Sequence, residues 1–148
     1  MSAIKESIEV SRPPEEVFSY LTDLSHLTEW QESAIAVKPA SGPLHVGERV
    51  EVRRRIGKRE IQTVMEVTEV DPPRSWHLHG GEGPIRADFH GTVEALDDGT
   101  RSRVTLDLDL HGHGKGRVLV PLVVRPHARK EVPRNEQALK GLLERGAA

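Results

Sequence analysis

Residues 75–80 read SWHLHG and residues 110–114 read LHGHG, with His90 between them, so five of the chain's eight histidines fall in three short segments. Histidines at i and i+2 on one strand share a face, and five imidazoles so placed could hold zinc or another borderline cation through neutral ring nitrogens. The chain has no cysteine, which removes disulfides, thiolate metal sites and cysteine nucleophiles. No Ser-His-Asp order with an assignable geometry occurs, nor any Gly-x-Gly-x-x-Gly or phosphate-binding loop; GGEGP reads as a hairpin turn. The question for the histidines is therefore which face of a sheet they occupy.

Alternation answers it. From 85 to 95 the odd positions Ile85, Ala87, Phe89, Gly91 and Val93 form the apolar face, opposite His90. From 104 to 113 the apolar phase is Val104, Leu106, Leu108 and Leu110, which sends His111 and His113 to the other side; Trp76 and Leu78 do the same to His77 and His79. All five histidines are expected on the convex, solvated face, and since a catalytic metal needs a concave, partly dry site, neither a metal nor a cofactor is expected. A slip of one residue would reverse every assignment.

The same parity turns Val50, Val52 and Arg54 inward, then Ile61, Thr63, Met65 and Val67. The candidate ligand contacts are Trp30, Arg54, Thr63 and Met65, then Trp76, Phe89, Leu106 and Leu108, with Leu119, Leu122 and Val123 from the C-terminal segment. They describe a wall suited to a hydrophobic or aromatic molecule. Arg54 is the one charge placed inside; it needs an anion, a carbonyl-rich ligand or a carboxylate, unless it sits at the edge and reaches out to water. Gly91 and Ala87 are where room is left.

The elements that must position these residues follow a definite order. Residues 3–10 alternate as a strand. Ser11-Arg12-Pro13-Pro14-Glu15-Glu16 then offers a serine cap, prolines and acids for a short helix, and Asp23 or Ser25 can cap a second one reaching about Glu32. Turn clusters at SGPLHVG, IGK, DPPR, GGEGP and DDGT divide the middle into about six strands. From Arg117 to Arg145 apolar residues recur at helical spacing, and a long helix is expected there, kinked or broken near Pro126 or Pro133. The sum is a single α+β domain over residues 1–148, one antiparallel sheet packed on one helix.

The net charge of −2, with acids and bases interspersed, gives no global reason to expect nucleic acid or an anionic membrane as the main partner. The densest basic run, Arg53 to Arg59, splits between two strand faces and reads as a solvated edge. The start, MSAIKESIEV, lacks the apolar core of a signal peptide, and no run is long enough for an integral membrane segment, so the expected location is cytoplasmic.

EVSRPPEEVFSYLTDLSHLTEW near the start, EVDPPRSWHL in the middle and the terminal ARKEVPRNEQALKGLLE resemble the START-related helix-grip (SRPBCC) superfamily, nearest its polyketide cyclase/dehydrase and lipid-transport group. The resemblance implies a curved seven-stranded antiparallel sheet wrapped around a long C-terminal helix, with a ligand cavity between them opening near the two short helices, which would put Tyr20 and His26 near its mouth. The first expectation is binding of a small hydrophobic molecule, polyketide-like or lipid-like, in that cavity. The second is a polyketide aromatase/cyclase or dehydratase, with Arg54 holding a carbonyl or enolate oxygen. A third is an interaction protein whose partner covers the histidine-rich face, and a homodimer stays open.

Overall fold

The computed structural model describes residues 4–145. Strand β1 (Ile4–Val10) leads into helix α1 (Pro14–Thr22), a single 3-10 turn (Leu24–His26) and helix α2 (Leu27–Trp30). Six strands follow: β2 (Ala34–Lys38), β3 (Arg49–Ile56), β4 (Arg59–Asp71), β5 (Ser75–Gly80), β6 (Ile85–Leu96) and β7 (Arg101–Gly112). The C-terminal helix runs as α3 (Gly116–Leu119), a π turn (Val120–Val124) and α4 (Arg125–Glu144). The strands form one antiparallel sheet in the order β1-β7-β6-β5-β4-β3-β2, curved into a half-barrel around the helix.

The expected alternation holds on the strands that matter. Trp76 and Leu78, Val104 and Leu106, and Ala87 and Val93 are buried, while their sequence neighbours are more exposed. A bulge at Thr68, where pairing passes from Val67–Leu78 to Glu69–His77, adds one residue to β4, so Val67 and Val70 are both paired with the apolar phase of β5. The inward side chains meet α1, the short helices and α4 in a main core, and a second cluster of Ile4, Ile85, Ala87, Leu110, Val120 and Val124 closes the sheet against the start of the C-terminal helix.

One expectation about the helices needs correction, and the other takes the milder of its two forms. Ser11 does not cap α1 with its side chain; its backbone N–H donates to the Glu144 carboxylate at 2.9 Å, and Arg12 Nε donates to the Leu143 carbonyl at 2.8 Å, which ties the first corner to the far end of α4. The last helix is not broken at its prolines; it departs from regular α geometry in the π turn just before Pro126. Pro121 lies in the π turn and Pro126 in the first turn of α4; the Arg125 N–H reaches back to the Val120 carbonyl, and the wider turn between the two accommodates the missing donors. Pro133 lies inside α4, and the residue whose carbonyl it leaves unbonded, Arg129, is on the exposed side.

Gly91 does not leave room for a ligand. The Trp76 indole crosses β6 there, and a Cβ on residue 91 would run into its six-membered ring. Gly91→Ala is therefore expected to lower unfolding stability by about 2 kcal/mol through overpacking. Urea titration followed by tryptophan emission checks this, and an unchanged midpoint would mean that Trp76 can move aside.

Candidate functional site

Between the concave face of the sheet and the C-terminal helix lies a cavity of about 180 Å³, room for on the order of ten water-sized groups. Its walls are mostly apolar. Met65, Trp76, Phe89, Leu106 and Leu108 come from the sheet, and Leu27 and Trp30 from the short helices. Trp76 sits at the centre of an aromatic group, 5.6 Å edge-on from Phe18 and 5.9 Å from Phe89 between ring centroids. Trp30 is 3% exposed, and its Nε1–H is buried with no hydrogen-bond partner among the described residues.

One end of the cavity is polar. His127, Glu131 and Asn135 are spaced four apart on α4 and so present one helix face, opposite Ser33, Arg54 and Thr63. Glu131 Oε2 accepts from the Ser33 N–H at 3.0 Å, the Ser33 hydroxyl at 2.9 Å and Asn135 Nδ2 at 2.9 Å, while Oε1 lies 3.0 Å from His127 Nε2. Asn135 Oδ1 in turn accepts from the Glu32 N–H at 2.9 Å. Burial pushes the Glu131 carboxyl up, but the hydrogen bonds from Asn135 and Ser33 and the Arg54 charge outweigh it and hold the group below the usual carboxylate range.

Arg54 lines the cavity, as the alternation requires, and is half-buried. Its Nη1 donates to Ser33 Oγ at 3.2 Å and its Nε to Thr63 Oγ1 at 3.4 Å. No ion pair to Arg54 occurs among the described residues; the Ser33 hydroxyl stands between it and Glu131. Burial lowers its proton affinity and the Glu131 charge works against that. A guanidinium carries five N–H donors and stays protonated, so this end of the cavity offers positive charge and unused donor capacity. With Nε2–H of His127 donating to Glu131, Nδ1 is the imidazole's basic nitrogen. The arrangement can bind a carbonyl, enolate or carboxylate oxygen against an apolar body.

Of the candidate contacts, Trp30, Arg54, Thr63, Met65, Trp76, Phe89, Leu106 and Leu108 line this cavity, and Ala87 does too. Leu119, Leu122 and Val123 do not. Val120 and Val124 take the inward face of the helix instead, and Leu122, two residues from each, is 70% exposed. Apolar spacing alone misled here because the true inward stripe continues through polar residues, Glu131, Asn135 and Glu136, before returning to Leu139 and Leu143. Every fourth residue from 127 to 135 was the available signal. Tyr20 and His26 stack on each other at 4.2 Å beside Glu29 and lie outside the cavity lining.

The five strand histidines are on the outer face of the sheet. His79, His90, His111 and His113 are exposed and His77 is half-exposed. His77 and His90 pair across β5 and β6 with ring centroids 5.3 Å apart, and Asp88 Oδ1 lies 2.7 Å from His79 Nδ1. Among the described residues no group of three or more His, Asp or Glu side chains is placed to hold a metal ion.

A search of the curated proteins found no match. Solved structures match over nearly the whole chain. One, a START superfamily protein from Mycobacterium smegmatis, has a TM-score of 0.75 at 14% identity, covering 97% of each chain. The Zhui aromatase/cyclase from Streptomyces sp. R1128 gives a TM-score of 0.75 at 14% identity, covering 99% of this chain and 96% of that one. A protein from Thermus thermophilus gives 0.73 at 19% identity, covering 99% and 100%. At such identities these likenesses establish the fold. The family described as polyketide cyclase / dehydrase and lipid transport matches residues 1–145, in keeping with the curved seven-stranded sheet around a C-terminal helix, and the chain belongs to that family.

Proposed function

We propose that the protein binds a small, mainly apolar molecule, polyketide-like or lipid-like, in the cavity, with one oxygen of that molecule held by Arg54. The observation that carries the reading is the division of the cavity: apolar walls over most of its surface and one half-buried guanidinium, without a carboxylate in contact, at one end. A partly desolvated cation with spare donors favours an acceptor that meets it. The family membership supports a ligand of this kind.

Both tryptophans of the chain line the cavity, so their emission reports occupancy directly. Protein purified without metal-affinity steps is expected to carry an organic mass increment in native mass spectrometry, or, if isolated empty, to bind aromatic polyketide or fatty-acid probes with a change in tryptophan emission. Arg54→Leu should weaken oxygen-bearing probes by at least tenfold, the loss expected for a charge-assisted hydrogen bond, and leave hydrocarbon probes nearly unaffected. If no probe alters the emission and no increment is found, the reading fails.

A second reading, an aromatase/cyclase or dehydratase, is favoured by the His127–Glu131 pair at 3.0 Å beside Arg54. The guanidinium would stabilise an enolate oxygen while His127 Nδ1 takes the proton. Loss of turnover of a poly-β-ketone analogue in His127→Ala, with the emission response to the same compound retained, would separate catalysis from binding.

A further inference from the structure

The C-terminal helix begins with two aliphatic side chains in water. Val118 is 62% exposed and Leu122 70%; they are four residues apart, on one face, turned away from the buried Val120 and Val124. Pro121 and Pro126 beside them are exposed as well. This end of the helix is firmly held, because Gly116 packs against the Pro84 carbonyl so closely that a Cβ there would overlap it. The exposed side chains therefore project from a rigid support.

The charge around them is one-sided. Between Leu110 and Lys130 the chain has no Asp or Glu and carries Lys115, Arg117, Arg125, Arg129 and Lys130, five positive charges in a chain whose net charge is −2. All but Arg125 are exposed, and Arg125 donates to the Leu110 carbonyl. The bracketing acids face elsewhere: Glu131 is turned into the cavity, and Asp109 lies beside His111 on the sheet. Glu82, in the neighbouring turn, is held by Arg49 at 2.8 Å. The interspersed charge of the whole chain hides this local excess.

We propose that the segment from Lys115 to Lys130 is a docking face for an anionic lipid bilayer, with Val118 and Leu122 entering the boundary between headgroups and acyl chains and the flanking bases meeting lipid phosphates. A nucleic acid would meet the bases but leave both aliphatic chains against a polar backbone. A protein interface of ordinary stability buries about 800 Å² on each partner, far more than two aliphatic side chains supply, whereas insertion into lipid is favourable for each methylene separately. Val124, His127 and Ala128 of the same segment turn into the cavity, whereas Val118, Leu122 and the flanking bases are on its outer side, so the proposal does not rest on what the cavity binds.

The test is co-sedimentation of the whole protein with vesicles of phosphatidylcholine alone and of phosphatidylcholine with about one third phosphatidylserine. Binding is expected to the second kind, at least tenfold weaker to the first, and to fall as salt is raised. Val118→Ser with Leu122→Ser should weaken it by at least tenfold, and Lys115→Glu with Arg117→Glu likewise, at about fivefold per base removed. All four residues are exposed or on the helix rim, and circular dichroism confirms that the variants fold. Equal binding to both vesicle kinds, or none to either, overturns the proposal. So does a dimer in sedimentation velocity that the Val118→Ser, Leu122→Ser variant disperses without any vesicle binding, since the face would then belong to a second copy of the chain.

Discussion

Glu136→Gln is expected to stabilise the protein strongly in alkaline solution and hardly at all in acid. Glu136 is 1% exposed on the face of α4 that packs on β1, and its Oε2 has no hydrogen-bond partner among the described residues. Burial, together with the nearby Glu6 charge, pushes its carboxyl up to about 8 from an ordinary 4.5. For a carboxyl raised in this way the unfolded chain releases its proton first. Stability is therefore unaffected below the unfolded value, is lost as pH rises from 4.5 to about 8, and stays low beyond.

The full shift corresponds to roughly 5 kcal/mol, so the Gln variant should be more stable than the parent by about 3–5 kcal/mol near pH 9 and nearly equal to it near pH 4.5. Urea midpoints for both proteins across that range measure the difference directly. Glu6→Gln should show a smaller rise of the same sign, because it removes only the second cause. Parallel midpoint curves for parent and Glu136→Gln would mean that the carboxylate is hydrated or paired in solution, and the account of this helix face would fail.

The second large effect is expected at Glu131, and in the opposite direction. Glu131→Ala removes the acceptor of three hydrogen bonds from Ser33 and Asn135 and leaves the Arg54 charge uncompensated. The cost is expected to be about 3–5 kcal/mol, because buried donors of Ser33 and Asn135 lose their acceptor and the half-buried Arg54 loses a neighbouring negative charge. In an Arg54→Met background the same substitution should cost less by about 1–3 kcal/mol, since no half-buried cation is then stranded. Additive losses in the four-protein cycle would assign the whole effect to the Ser33 and Asn135 hydrogen bonds and none to the charge. Because the Glu131 carboxyl is held below its usual range, its contribution is present above the unfolded value of 4.5 and is lost as pH falls through the folded one. Glu131 and Glu136 thus limit stability from the acid and the alkaline side respectively, although they are five residues apart on one helix.

The strands and their faces were legible in the residues because a two-residue period admits only two answers, and buried aliphatics choose between them. That placed Arg54 inside and His77, His79, His90, His111 and His113 outside without any knowledge of what the strands would meet. It also located most of the cavity wall, since Met65, Trp76, Phe89, Leu106 and Leu108 needed only the right face and the right sheet. Even Thr68, which breaks the period on β4, did so beyond the last cavity residue of that strand and left the assignment intact.

The C-terminal helix was different. A helical face is a stripe in a continuum of angles, and this one passes through a π turn and then through Glu131, Asn135 and Glu136, so apolar spacing pointed to Leu119, Leu122 and Val123 when Val120 and Val124 are the residues inside. Whether a glutamate on that stripe is a surface charge or the anchor of a buried network depends on Ser33, 98 residues away in sequence and 2.9 Å away in space. The room that Gly91 was expected to leave is taken by the Trp76 indole for the same reason. By itself the sequence determined which side of each strand faces the helix, because that follows from local covalent geometry. Only the tertiary structure decided which charged side chains share the interior and which apolar ones stay in water, because those outcomes depend on partners that no local pattern encodes.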